Sequence, residues 1–130
     1  MLLTSEPKMR MWSLPTQILC CKHLLGEHRE LHMYVGCILK NKDLSTYIQR
    51  GYVEIHKIHS RHDELVKEFH VRGYNHNSPL PHFKEVMAGK IDISFNLYDL
   101  LSRCNDCRAR FYESQKHNLY KGLNLLIPNR

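Results

Sequence analysis

The chain has 130 residues, 42% of them hydrophobic, with 19 Lys and Arg against 13 Asp and Glu for a formal charge of +6. That length holds one core and is too short for two independent ones. No apolar run approaches the roughly 20 residues of a membrane span, and the basic balance suits a polyanionic partner without identifying one.

The five cysteines are an odd number, and residues 1–8 have neither the basic start nor the long apolar stretch of a secretory signal. Reduced thiols in a cytoplasm are therefore the expected state.

In chain order, residues 1–8 form an N-terminal extension and residues 9–14 (MRMWSL) an extended arm that packs onto something else. From Thr16 to about Lys40, the residues Ile18, Cys21, Leu24, Leu25, His28, Leu31, Val35 and Ile38 recur at three- and four-residue spacing, which predicts an amphipathic helix. Residues 41–57 lack that period and predict an ordered loop with a short extended piece around Tyr52, Val53, Glu54 and Ile55. Ser60 and Asp63 suggest a capping box opening a second helix, with Leu65, Val66 and Phe69 as its apolar stripe and Gly73 as its stop.

Pro79 and Pro81 interrupt any helix before a third periodic run, which follows Gly89 and carries Ile93, Leu97, Leu100, Leu101, Cys104 and Phe111. The expectation is an all-α fold: one compact domain of three main helices over residues 9–117, with an extended N-terminal arm, long loops and an irregular tail at 118–130.

Taken alone, the candidate residues have ordinary readings. Arg29 and Glu30 lie about 120° and about 140° from the centre of the first helix's apolar stripe, where solvated charges are usual. Cys104-x-x-Cys107 supplies two of the four ligands of a structural zinc, and with no second C-x-x-C in the chain a local structural role near Cys20 or Cys21 is expected. A zinc-stabilised interaction domain built on that pair is the minor alternative. His56, His59 and His62 suggest a surface row, while His76 and His82 flank the Pro79 loop. Arg108, Arg110, Phe111, Tyr112, Lys116 and Tyr120 mix cations with aromatics in the way that suits phosphate contact and stacking.

The wording of the helices adds a resemblance. His23-Leu24-Leu25-Gly26-Glu27-His28-Arg29-Glu30-Leu31 resembles the H-L-x-x-E-[YH]-R-E-[LI] signature of the pyrimidine dimer DNA glycosylases, the family of the phage-type endonuclease V fold. Residues 61–68, continuing to Arg72-Gly73-Tyr74-Asn75, are similar to that family's second helix and its R-G-[FY]-N stop. Met9-Arg10-Met11-Trp12-Ser13-Leu14 looks like the M-R-x-W-S-L opening of its cellular members, and residues 103–112 sit where the phage enzymes carry an aromatic-basic patch.

The resemblance implies a DNA glycosylase with AP lyase activity. A primary amine at the start of the chain attacks the sugar C1′, giving a Schiff base and then β-elimination. Glu30 aligns with the catalytic carboxylate, and Met9 with the residue that carries the amine. Arg10, Arg29 and His23 align with the DNA-facing part of the family's site, and Arg108 and Arg110 are the DNA contacts expected from the C-terminal patch. A further phosphate-binding arginine of the phage enzymes falls on Met33.

Eight residues precede Met9, and an internal Met9 nitrogen is an amide that cannot form an imine. Translation from Met9, cleavage of the extension, a Lys8 amine and loss of the lyase chemistry all stay open. The expected partner is damaged double-stranded DNA and the expected state a cytoplasmic monomer without metal or other cofactor. The alternative is a non-catalytic nucleic-acid-binding protein of the same fold.

Overall fold

A computed structural model describes residues 9–126, and the side chains of residues 9–116. The expected extension 1–8 with its Lys8 amine, the side chains of Tyr120 and Lys121, and the last four residues of the tail lie outside the described residues.

The described chain is all-α, with no strand among the described residues. A 3-10 turn (Thr16–Ile18) precedes α1 (Cys21–Leu39), a short α2 (Ser45–Gln49), a second 3-10 turn (Ile55–Lys57), α3 (Ile58–Val71), α4 (Ile93–Arg103) and α5 (Asn105–Leu126). None of the helices is long and apolar enough to cross a membrane.

Helix α1 carries the core because its apolar residues share one stripe. Leu24, Leu31, Tyr34 and Val35 are fully buried, and each such side chain stabilises the fold by about 1.5–3 kcal/mol. The stripe is rotated from the expected one: Cys21 and Leu25 are exposed, while Cys20 and Glu27 are buried. The expected start at Thr16 is also later in fact, because Leu19 and Cys20 are extended and separate the first turn from α1.

Helix α3 packs on α1, with Phe69 against the His28 ring, and buries Ile58 and Leu65. The expected capping box does not form. The helix starts earlier, Ser60 Oγ donates to Lys57 O, and the loop residue Glu85 accepts the His59 N–H at 2.9 Å in place of a local cap. Gly73 does end the helix, at φ +80, with the Tyr74 N–H returning to Phe69 O.

Three further departures have local causes. The third periodic run is two helices, since Cys104 is extended (φ −128, ψ 108) and breaks it. Residues 45–49 make one helical turn inside the expected loop, and the extended piece pairs with loop 88–91 through Ile55 N–H to Ala88 O rather than forming a strand. Helix α5 continues past 118 to Leu126; Gly122 within it costs about 1 kcal/mol relative to alanine, too little to stop a helix.

The arm packs as expected. Met9, Met11, Trp12 and Leu14 are all in the core. Met11 N–H donates to Tyr52 O at 2.8 Å, and the buried Tyr34 hydroxyl donates to Met9 O at 2.9 Å.

Candidate active site

The exposed side of α1, the arm and the start of α1 enclose a small pocket of about 170 Å³ lined by Trp12, Lys22, His23, Gly26, Glu27, Arg29 and Glu30. That is room for five or six waters by volume. The pocket is a by-product of helical spacing: Lys22, Gly26, Arg29 and Glu30 recur at three and four residues, and Gly26 leaves open the space one turn before Glu30.

Glu30 is half-buried because the arm crosses it. The backbone N–H of Arg10 donates to Glu30 Oε1 at 2.8 Å, so the carboxylate and the chain one residue after Met9 are in direct contact. Burial raises the Glu30 pKa above the ordinary carboxylate value; the Arg10 N–H and the Arg29 and Arg10 charges pull it back in part, while Glu27 adds to the rise. Arg29 is exposed beside it.

Glu27, one turn earlier, does something else. It is 1% exposed and takes two hydrogen bonds from Arg61, at 2.7 and 2.9 Å, across the α1–α3 contact. Arg61 is itself buried, and although burial opposes its charge, Glu27 and Glu64 hold it protonated. Two carboxylates on one helix thus divide into a structural and an accessible one.

Arg10, expected on DNA, points inward. Its guanidinium bonds Asp99 Oδ2 at 2.6 Å and Asn96 Oδ1 at 2.8 Å and lies 3.9 Å from the Trp12 ring centre. A charge so enclosed positions the arm and the Glu30 contact and offers no open face to a phosphate. Burial works to raise the Asp99 pKa, but Arg10 and Arg103 overcome it and hold the carboxyl low.

The C-terminal arginines are also engaged with protein. Arg108 donates to Leu101 O and Asn105 Oδ1, closing the α4–α5 junction. Arg110 donates to Gln17 O at 2.7 Å, although its side chain remains 40% exposed. Both are remote in sequence from Glu30, and neither lines its pocket. Of the expected DNA contacts, Arg29 alone shares that pocket's rim with an exposed charge, and Lys22, which the sequence reading passed over, joins it.

His23 lines the pocket, but its Nδ1 lies 3.3 Å from Cys20 Sγ and 3.5 Å from Cys107 Sγ. Cys20, His23, Cys104 and Cys107 bring their ligand atoms within 4.8 Å of one another. Of the two expected neighbours of Cys104 and Cys107, Cys20 is the one in place, and Cys20-x-x-His23 supplies a second pair whose signal was a C-x-x-H rather than a second C-x-x-C.

A separate group, His28, His62 and His76, also converges, with His28 Nε2 at 3.1 Å from each of the other two Nε2 atoms. Burial, together with His62, His32 and His76, pushes His28 down to about 4, so the ring is neutral near pH 7. The expected surface row is therefore not one, since His62 is buried within this group and His59 stacks on Phe83. His82 remains exposed.

A family model described as pyrimidine dimer DNA glycosylase matches residues 9–82, a span that holds the arm, α1 and α3. No curated protein and no solved structure matches the chain.

Proposed function

The chain belongs to the pyrimidine dimer DNA glycosylase family, and from that premise we propose that it excises damaged bases from duplex DNA and cleaves the resulting abasic strand at the Glu30 pocket. The observation that carries this reading is the 2.8 Å bond from the Arg10 N–H to Glu30. In a chain that begins at Met9, the terminal amine lies no farther than about one residue's span from that amide.

The chemistry follows from these groups. The neutral amine attacks C1′, the N–C1′ bond to the base breaks, and the base leaves with a proton. Loss of the ring-oxygen bond gives an imine, and removal of a C2′ proton expels the 3′ phosphate by β-elimination. Glu30, ionised, stabilises positive charge developing on the sugar and accepts the C2′ proton. Arg29 and Lys22 at the rim meet the flanking phosphates, and Arg10 holds the arm against Glu30 from below. Moving a damaged nucleotide out of the stack costs less than moving an intact one, which favours lesions.

Borohydride reduction of the protein mixed with abasic or dimer-containing duplex tests the proposal, using the full-length chain and a chain starting at Met9. A covalent adduct from the Met9-start protein, absent from Glu30→Gln, is the expected result. No adduct from either chain, with salt-sensitive DNA binding intact, replaces this reading by a non-catalytic binding protein of the same fold.

A further inference from the structure

We propose that Cys20, His23, Cys104 and Cys107 form a four-ligand zinc site that clamps the start of α1 to the α4–α5 junction.

Geometry carries the assignment. Tetrahedral zinc with its usual bond lengths separates two sulfur ligands by about 3.8 Å and a sulfur from a nitrogen by about 3.6 Å. Here Cys20 Sγ lies 3.9 Å from Cys104 Sγ, and His23 Nδ1 lies 3.3 and 3.5 Å from the sulfurs of Cys20 and Cys107. The 3.9 Å separation also excludes a disulfide between that pair as the structure stands, because a bonded pair sits at about 2.05 Å. All five cysteines are free.

The local backbone repeats a design on both sides. Cys20 precedes α1 as its N-cap, with His23 in the first turn, and Cys104 precedes α5 with Cys107 in its first turn. Each half is therefore a two-residue-spaced ligand pair straddling a helix start. Backbone N–H groups face the sulfurs: Cys20 N–H donates to Cys107 Sγ at 3.2 Å and Cys107 N–H to Cys104 Sγ at 3.4 Å. Such donors stabilise thiolates, and three thiolates with one imidazole select a borderline-soft tetrahedral ion over magnesium or calcium.

The four ligands come from segments more than eighty residues apart in the chain, with Cys20 and Cys107 buried. A closed set of this kind is structural rather than catalytic, since no coordination position is left for water. Its place gives it a consequence for the pocket. His23 lines the Glu30 pocket and meets the Trp12 ring edge-on at 5.9 Å, so the ion fixes one wall of that pocket and seats α5 beside the Thr16–Ile18 turn.

The test uses the full-length protein purified under reducing conditions without chelator. Elemental analysis is expected to return one zinc per chain. Zinc K-edge absorption is expected to show three sulfurs at about 2.3 Å and one nitrogen at about 2.0–2.1 Å. Cobalt(II) exchanged into the site is expected to give thiolate charge-transfer bands in the near ultraviolet. These measurements need no variant to fold.

Protein that carries no zinc and binds cobalt without those bands overturns the proposal. A zinc shell of nitrogen and oxygen alone also overturns it, since that places the ion at His28, His62 and His76. As a further arm, Cys104→Ser with Cys107→Ser is expected to lose the zinc while His62→Ala keeps it, and the reverse pattern refutes the assignment.

Discussion

Replacing Glu27 by Gln takes the negative charge out of the α1–α3 contact while keeping the side chain's size. Arg61 is 3% exposed, so its guanidinium is left in the interior with a neutral partner. Breaking a buried pair from one side typically costs about 3–5 kcal/mol. Glu64 still reaches Arg61 Nη1 at 2.8 Å, but the Glu64 side chain is 59% exposed, so the charge it offers is screened and only part of the loss is offset. The expected cost is at the lower end, about 3 kcal/mol. With a urea slope of about 2 kcal/mol/M, the unfolding midpoint falls by about 1.5 M. The double replacement Glu27→Leu with Arg61→Met removes both charges and recovers most of the loss. A Glu27→Gln midpoint within about 0.3 M of the parent's at unchanged slope refutes the claim that this ion pair holds α1 to α3.

Glu30→Gln is expected to do the opposite, lowering strand nicking about 10²- to 10⁴-fold with little change in the urea midpoint, because burial already disfavours its charge. On the proposed mechanism Glu30 acts ionised, and because burial raises its pKa, activity falls as the pH drops through that raised value. Arg29→Ala, which removes a charge that lowers the Glu30 pKa, moves the acid limb of a pH–rate profile further up; an unmoved limb would remove Glu30 as the group observed. Asp99→Asn is expected to cost about 1.5–3 kcal/mol at neutral pH. Its carboxyl is depressed in the folded state, so the contribution is present above the unfolded value and lost as the pH falls through the folded one. The gap between parent and variant in thermal melts should close in strong acid and stay open at pH 7. Gly89→Ala places a Cβ 2.1 Å from Val53 O at a φ of +93, and a destabilisation of about 2–4 kcal/mol should follow; an unchanged melting temperature would mean that the two backbone segments do not approach this closely.

What the sequence determined by itself was local. Three- and four-residue spacing located α1 and α3, because neighbours on a helix face are set by its own period. Gly73 marked the end of α3 because a positive φ there favours glycine. The wording of residues 9–75 pointed to the family, and to Glu30 as the carboxylate to watch. Tertiary structure decided what those residues touch. Periodicity cannot tell that Glu27 is buried and Glu30 accessible, since the difference is made by Arg61, 34 residues away, and by the arm crossing the helix at Arg10. Nor could it turn Arg10 inward, because Asp99 lies 89 positions further on.

The break at Cys104 was hidden for a related reason: Leu100, Leu101 and Phe111 keep an apolar period across a residue whose backbone is extended. The same residue joins Cys107 to Cys20 and His23 over a separation of 84 to 87 residues. A metal-ligating set of that kind is written in the chain as two unremarkable pairs, and only folding brings them within reach of one ion.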